Sequence, residues 1–224
     1  AGPEARHLAF EFGLVMLVLV NLKQATAALF GLVVGAIVLA GLCDPKIRLR
    51  DLARLLPAMV LPGIIIYVVW RFYVITELKG GELAVRPFDG WLIGQIPLIA
   101  WKMIVVLSKK GLYLALMAAA TVFAVLGAVR LRTPLDRLAV IVGAVFVGYN
   151  AFLLFAYVAT FGKTDALRVA SLWRYNMHLG PLGLAFAAYG LAMLWRRYAA
   201  PRLGTLRLAW LPIVLILAAP LLFA

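Results

Sequence analysis

Cysteine, histidine and acidic residues are what this chain has least of. Its 224 residues include one cysteine, two histidines and nine Asp or Glu against 22 Lys or Arg. Cys43 alone forms no internal disulfide, which excludes a stapled extracellular scaffold and a Cys-rich metal site. His7 and His178 lie too far apart to suggest a haem or metal pair, and Glu11 is the one carboxylate inside an apolar run. Redox work and proton pumping are therefore not expected, nor is any metal or cofactor. There is no repeated filter motif of the kind a channel carries, no repeat of fixed period and no Gly/Ser-rich linker. One membrane-embedded domain over 1–224 is the expectation.

What remains is mostly apolar. Hydrophobic residues make up 66% of the chain and charged ones 14%, with a mean hydropathy of +1.03. A membrane-crossing helix needs about 20 mostly apolar residues, so the chain holds roughly seven or eight crossings and no sizeable soluble domain. A spanning barrel alternates apolar and polar positions, whereas Leu112 to Val129 is an unbroken apolar run. The fold class is thus all-α, a polytopic transmembrane bundle. A net charge of +13 in a soluble protein points to nucleic acid, but here the cations are spread over short connections. Membrane lipid head groups and anionic substrates are the expected partners, not nucleic acid. The start Ala1-Gly2-Pro3-Glu4 lacks an initiator Met and reads as processed or truncated, so the chain is expected to be the C-terminal part of a longer protein. Asn21-Leu22-Lys23-Gln24 follows the first apolar run where a signal peptide has small residues, so that run reads as a retained helix.

The apolar stretches are Leu8–Val20, Ala25–Leu42, Leu56–Val74, Trp91–Leu107, Leu112–Val129, Leu138–Phe161, Met177–Trp195 and Leu208–Phe223. The first two form a tight hairpin. In the fourth, Pro97, Gln95 and Lys102 interrupt the run, and a charge at mid-bilayer costs about 2.5 to 3.5 kcal/mol on insertion scales. An interfacial or re-entrant helix is expected there, leaving seven full spans. The compact, Arg-rich turns Cys43–Arg54, Arg130–Arg137 and Arg196–Arg207 then share one side, read as cytoplasmic. The mixed-charge segments Ile75–Gly90 and Gly162–Asn176 fall on the opposite side, where function is sought. The bacterial inner membrane is the expected location.

The richest segment runs from Gly162 to His178. With a helix starting near Asp165, Arg174 and His178 share a face with Ser171, and Arg168 lies two turns before Tyr175. Lys163 reaches the same neighbourhood from the helix start, and Lys23 at the hairpin tip joins it if both lie on one membrane face. Guanidinium groups beside Trp173 and Tyr175 at head-group level suit a lipid phosphate or pyrophosphate. The competing reading is plain interfacial anchoring, for which Arg, Trp and Tyr are equally suited. Gly162-Lys163-Thr164 is no phosphate-binding P-loop, since Tyr157 stands five residues before Gly162 and no strand precedes it. The loop with Glu77, Glu82 and Asp89 could supply a general base or a divalent-ion ligand, but solvated loops carry charges anyway and its spacing matches no metal site. Glu11, Tyr149 and Asn150 lie at membrane depth, where they are expected to face protein and find partners.

Three segments carry a resemblance: Asn21-Leu22-Lys23-Gln24 before a long apolar helix, Leu61-Pro62 to Tyr67-Val68-Val69-Trp70-Arg71, and Asp165-Ala166-Leu167-Arg168-Val169-Ala170-Ser171 to Arg174-Tyr175. Together they resemble the C-terminal half of bacterial polytopic GT-C-type membrane glycosyltransferases of cell-envelope polysaccharide assembly. The resemblance implies a polyprenyl-phosphate sugar donor whose phosphate meets basic residues at the extracytoplasmic face. Arg174, Lys163, Arg168 and His178 are then assigned to the leaving group, with Tyr175 and Trp173 at its lipid-facing edge. The catalytic carboxylate of that class sits in a first extracytoplasmic loop to which nothing here corresponds, so the catalytic residue is unassigned. Two alternatives stand beside this one. The first is a polysaccharide polymerase or ligase acting on lipid pyrophosphate-linked glycan. The second is a non-catalytic helical subunit packed among other membrane subunits.

Overall fold

A computed structural model describes residues 2–22, 24–77, 85–129, 131 and 133–199. The architecture is all-helical, with no strand among the described residues. In order come α1 (Pro3–Leu22), α2 (Gln24–Cys43), α3 (Leu49–Glu77), α4 (Ile96–Ser108), α5 (Gly111–Val129), α6 (Pro134–Ala159), α7 (Lys163–Arg168), α8 (Leu172–Asn176) and α9 (Gly180–Leu194). Two 3₁₀ turns, Phe88–Gly90 and Ile93–Gln95, lead into α4. Most of each expected apolar stretch up to residue 195 falls on one of these helices, with Trp91–Leu107 and Met177–Trp195 beginning before α4 and α9; Leu208–Phe223 lies outside the described residues.

Among the described residues six segments are long and apolar enough to cross a membrane: Thr26–Cys43, Leu49–Glu77, Phe88–Ser108, Gly111–Val129, Pro134–Ala159 and Leu172–Tyr198. The chain divides into two compact units, residues 1–186 and 187–224. Within the described part of the second, the end of α9 runs into a π-helical turn, Trp195–Ala199, where the Arg197 guanidinium lies 5.6 Å from the Tyr198 ring. The rest of the architecture concerns the first unit.

Close approaches fix helix directions there. Gly41 abuts Leu52 and Gly63 abuts Phe30, so α2 and α3 are antiparallel, and α1, joined tightly to α2, runs parallel to α3. Pro62 has no N–H to donate, which frees the Ala58 carbonyl inside α3. Gly13 of α1 sits directly against that carbonyl, a fit that leaves no room for a Cβ. Gly148 meets Leu32 of α2, while Gly143 meets Ala124 and Thr121 and Gly127 meets Asp136, so α6 is antiparallel to α5 and packs beside α2. Thr133 caps α6 in a reciprocal capping box: its N–H donates to Asp136 Oδ2 at 2.8 Å and its hydroxyl accepts from the Asp136 N–H at 3.2 Å.

An ion pair joins the turns at one end of the bundle. The Asp44 carboxylate, fully buried, receives the Arg137 Nη2 at 2.6 Å and the Lys46 N–H at 2.9 Å. The α2–α3 turn and the start of α6 therefore share what we term the Asp44 end.

The opposite, Gly162 end explains α4. The Arg86 N–H donates to the Ala159 carbonyl at 2.9 Å and the Leu92 N–H to the Val158 carbonyl at 3.1 Å, so the lead-in to α4 lies against the last turn of α6. The helix that follows α4 runs from this end toward the Asp44 end, because Gly127 of α5 is beside the start of α6. Both ends of α4 consequently lie toward the Gly162 end, even though Phe88–Ser108 is long and apolar enough to cross.

Candidate functional site

Residues 162–179 do not form the single helix expected from their spacing. α7 ends at Arg168, Val169 and Ser171 take left-handed conformations at φ 46° and 63°, and α8 resumes at Leu172 before a 3₁₀ turn over Met177–Leu179. The shared face expected of Arg168 and Tyr175 is therefore broken, and Ser171, expected on one stripe with Arg174 and His178, stands at the break itself. The physical reason is tertiary: side chains from neighbouring helices take up the backbone groups of the bent segment, so the break does not need Gly or Pro.

Four such contacts hold it. Lys102 Nζ of α4 donates to the Leu167 carbonyl at 2.7 Å, and Tyr157 Oη of α6 donates to the Ala170 carbonyl at 2.7 Å. Asn176, fully buried, exchanges amide hydrogen bonds with Asn150 of α6 at 3.1 and 3.2 Å. Tyr113 of α5 donates from its hydroxyl toward the Asn176 carbonyl oxygens, backbone and side chain, at 3.2 Å each. Lys102, the residue that made α4 doubtful as a crossing, thus has its ammonium on the last turn of α7, where the free carbonyls favour a cation. Buried backbone polar groups need partners, and this segment finds them on neighbouring helices.

The polar residues of the apolar runs divide accordingly. Asn150 finds the protein partner expected of it. Tyr149 faces protein as expected and is fully buried in the same cluster, but its hydroxyl has no hydrogen-bond partner among the described residues. Glu11 also departs from expectation: its carboxylate is half exposed and lies 3.1 Å from His7 Nε2, one turn earlier on α1. An i, i+4 partner on its own helix serves in place of a contact across the bundle.

The expected site residues occupy distinct places on this segment. Lys163 and Arg168 stand at the two ends of α7, both exposed, and Arg174 and His178 are exposed beyond the break. Tyr175 is buried, with the Arg174 guanidinium 5.8 Å from its ring centre. Trp173 packs edge-on against Tyr113 at 5.1 Å and carries Lys110 Nζ 5.2 Å from its ring centre. Among the described residues no carboxylate pairs with Lys163, Arg168 or Arg174. Lys23 lies outside the described residues, between the ends of α1 and α2. Glu82 of the acidic loop is likewise outside them, and no group of three or more His, Cys, Asp or Glu able to hold a metal occurs among those described.

Arg86 is a residue that the spacing of 162–178 does not bring forward. Its side chain reaches from Gly90 to Gly162, where its Nη2 lies 3.7 Å from the position a Cβ would take, next to Lys163. Its placement depends on the two backbone hydrogen bonds to the end of α6, a long-range pairing with no local signature. Comparison with protein-family models, curated proteins and solved structures finds no match for this chain.

Proposed function

We propose that this integral membrane protein binds the phosphate of an anionic lipid at its Gly162 end, as part of a glycosyltransferase that uses a polyprenyl-phosphate-linked sugar at the extracytoplasmic face. The observation that carries the reading is the broken segment 162–179. Lys102, Tyr157, Asn150 and Tyr113 hold it in a bent conformation, and on it Lys163, Arg168 and Arg174 stand exposed with no carboxylate partner among the described residues. A simple anchoring helix has no need of strained backbone or of four inward hydrogen bonds. Cations free of carboxylates keep their charge for a ligand, and guanidinium binds phosphate in a bidentate fork. In sugar transfer the same cations would stabilise the departing phosphate while an acceptor hydroxyl attacks the anomeric carbon.

Two features support the membrane placement. Both ends of α4 lie toward the Gly162 end, which fits the interfacial or re-entrant helix expected there, and the other five long apolar segments, on α2, α3, α5, α6 and Leu172–Tyr198, are left as crossings. Lys109, Lys110, Trp173 and Tyr113 cluster where α4 meets α5, a composition suited to the head-group layer.

The test is equilibrium binding of an isoprenyl monophosphate to the purified chain in phosphatidylcholine nanodiscs. Arg174→Ala is expected to weaken binding about tenfold or more, the loss of one charge-assisted contact. Arg174→Lys recovers part of it, and the melting temperature is unchanged. Equal affinity in the original chain and in a Lys163→Ala, Arg174→Ala double variant would leave the cations as anchors only.

A further inference from the structure

The apolar groove between residues 88–96 and α6 has a preformed wall. Phe88, Trp91, Ile93 and Ile96 line one side, and Ala151, Leu154, Phe155 and Val158 of α6 the other, around about 380 Å³. Trp91 is held by its Nε1, which donates to the Arg86 carbonyl at 2.9 Å, and its ring meets Phe155 edge-on at 5.6 Å and Phe88 at 5.2 Å. The hydrogen bonds from Arg86 to Ala159 and from Leu92 to Val158 fasten residues 86–92 to the last turn of α6. At about 1.5 Å per residue, Ala151 to Val158 makes the groove about 10 Å long.

Charge at the rim is of one dominant sign. Arg86 extends across to Gly162 beside Lys163, and neither has a carboxylate partner among the described residues. Asp89 is the carboxylate of the described strip; it is exposed and forms no ion pair with Arg86. A dry groove opening beneath uncompensated cations is complementary to a molecule with an apolar chain and an anionic head. The volume stands near the bottom of the ~300–1,000 Å³ range of small-molecule sites, room for one hydrocarbon chain and not the two of a phospholipid.

We infer that this groove holds the chain of a single-chain isoprenyl phosphate, with Arg86 as a further ligand of its phosphate. The inference rests on the reading that the Gly162 end binds a lipid phosphate. It adds the place of the tail and a cation outside 162–178. Because the wall is fixed before the lipid arrives, little ordering opposes its entry.

The experiment uses the full chain in phosphatidylcholine nanodiscs and geranylgeranyl phosphate bearing a diazirine on its chain. Photolysis is expected to label residues 88–96 and 151–158. Ala151 is exposed in the groove, so Ala151→Phe fills it without entering the core. That variant is expected to weaken binding of the isoprenyl phosphate roughly tenfold, the transfer of about two methylene groups, and to leave inorganic phosphate binding unchanged. Arg86→Gln should weaken both. Labels confined to other helices, undiminished binding by Ala151→Phe, or preference for phosphatidic acid in competition would each overturn the groove. If Arg174→Ala still loses affinity in those cases, the head-group reading survives; if the original chain binds no isoprenyl phosphate, both fall. Should Ala151→Phe not fold, the labelling map of the unsubstituted chain decides.

Discussion

Asn150 and Asn176 exchange side-chain amide hydrogen bonds between the second half of α6 and the end of α8. Each amide also donates to a carbonyl of its own helix, Asn150 to Phe146 at 2.9 Å and Asn176 to Leu172 at 3.3 Å. Replacing Asn176 by Leu removes the interhelical partners of the Asn150 amide and leaves the Tyr113 hydroxyl only the backbone carbonyl, and is expected to lower stability by about 1–3 kcal/mol. The Asn150→Leu, Asn176→Leu pair should lose less than the sum of the two single changes. Thermal unfolding in detergent of the four proteins checks the coupling.

Strain at the break makes a second prediction. Ser171 is exposed at φ 63°, a conformation glycine adopts without penalty, so Ser171→Gly is expected to stabilise the chain by up to about 1 kcal/mol. Val169, at φ 46°, is buried, and Val169→Gly loses roughly 1.5 kcal/mol or more of apolar burial against a similar relief. The melting temperature should therefore rise for the first and stay level or fall for the second. Equal rises in both would mean that Val169 contributes no packing.

At the other end, Arg137→Met leaves the buried Asp44 carboxylate without its ion-pair partner. A loss of about 3–5 kcal/mol is expected, because an uncompensated buried charge outweighs the net worth of the pair. Adding Asp44→Asn should restore a large part of it. Chemical denaturation of the single and double variants measures the recovery, and none would mean that the pair is not coupled.

Gly13 supplies a fourth test. A methyl group at this position collides with the Ala58 carbonyl, so Gly13→Ala should force α1 away from α3 and destabilise by about 1–3 kcal/mol despite the higher helix propensity of alanine. Gly31, whose Cβ position is open, is the control: Gly31→Ala is expected to be neutral or slightly stabilising. Thermal unfolding of both variants gives the comparison.

The helices were legible in the sequence because apolar runs of about 20 residues have few alternatives in a bilayer. The interruption of 91–107 by Pro97 and Lys102 likewise pointed to a segment unlike its neighbours. The break at Val169–Ser171 was not legible. That stretch contains neither Gly nor Pro, and its cause is the Tyr157 hydroxyl on the Ala170 carbonyl and the Lys102 ammonium on the Leu167 carbonyl, contacts made across 13 and 65 residues. The placement of Arg86 beside Gly162 escaped for the same reason, since its neighbourhood is set by Ala159. Glu11 was misjudged because a local partner, His7, was as available as a distant one.

Because both ends of α4 lie toward the same side, this helix is parity-neutral in the alternation of helix directions from α3 to α6. Excising it leaves α5 and α6 pointing as before, whereas the loss of α3 would invert them.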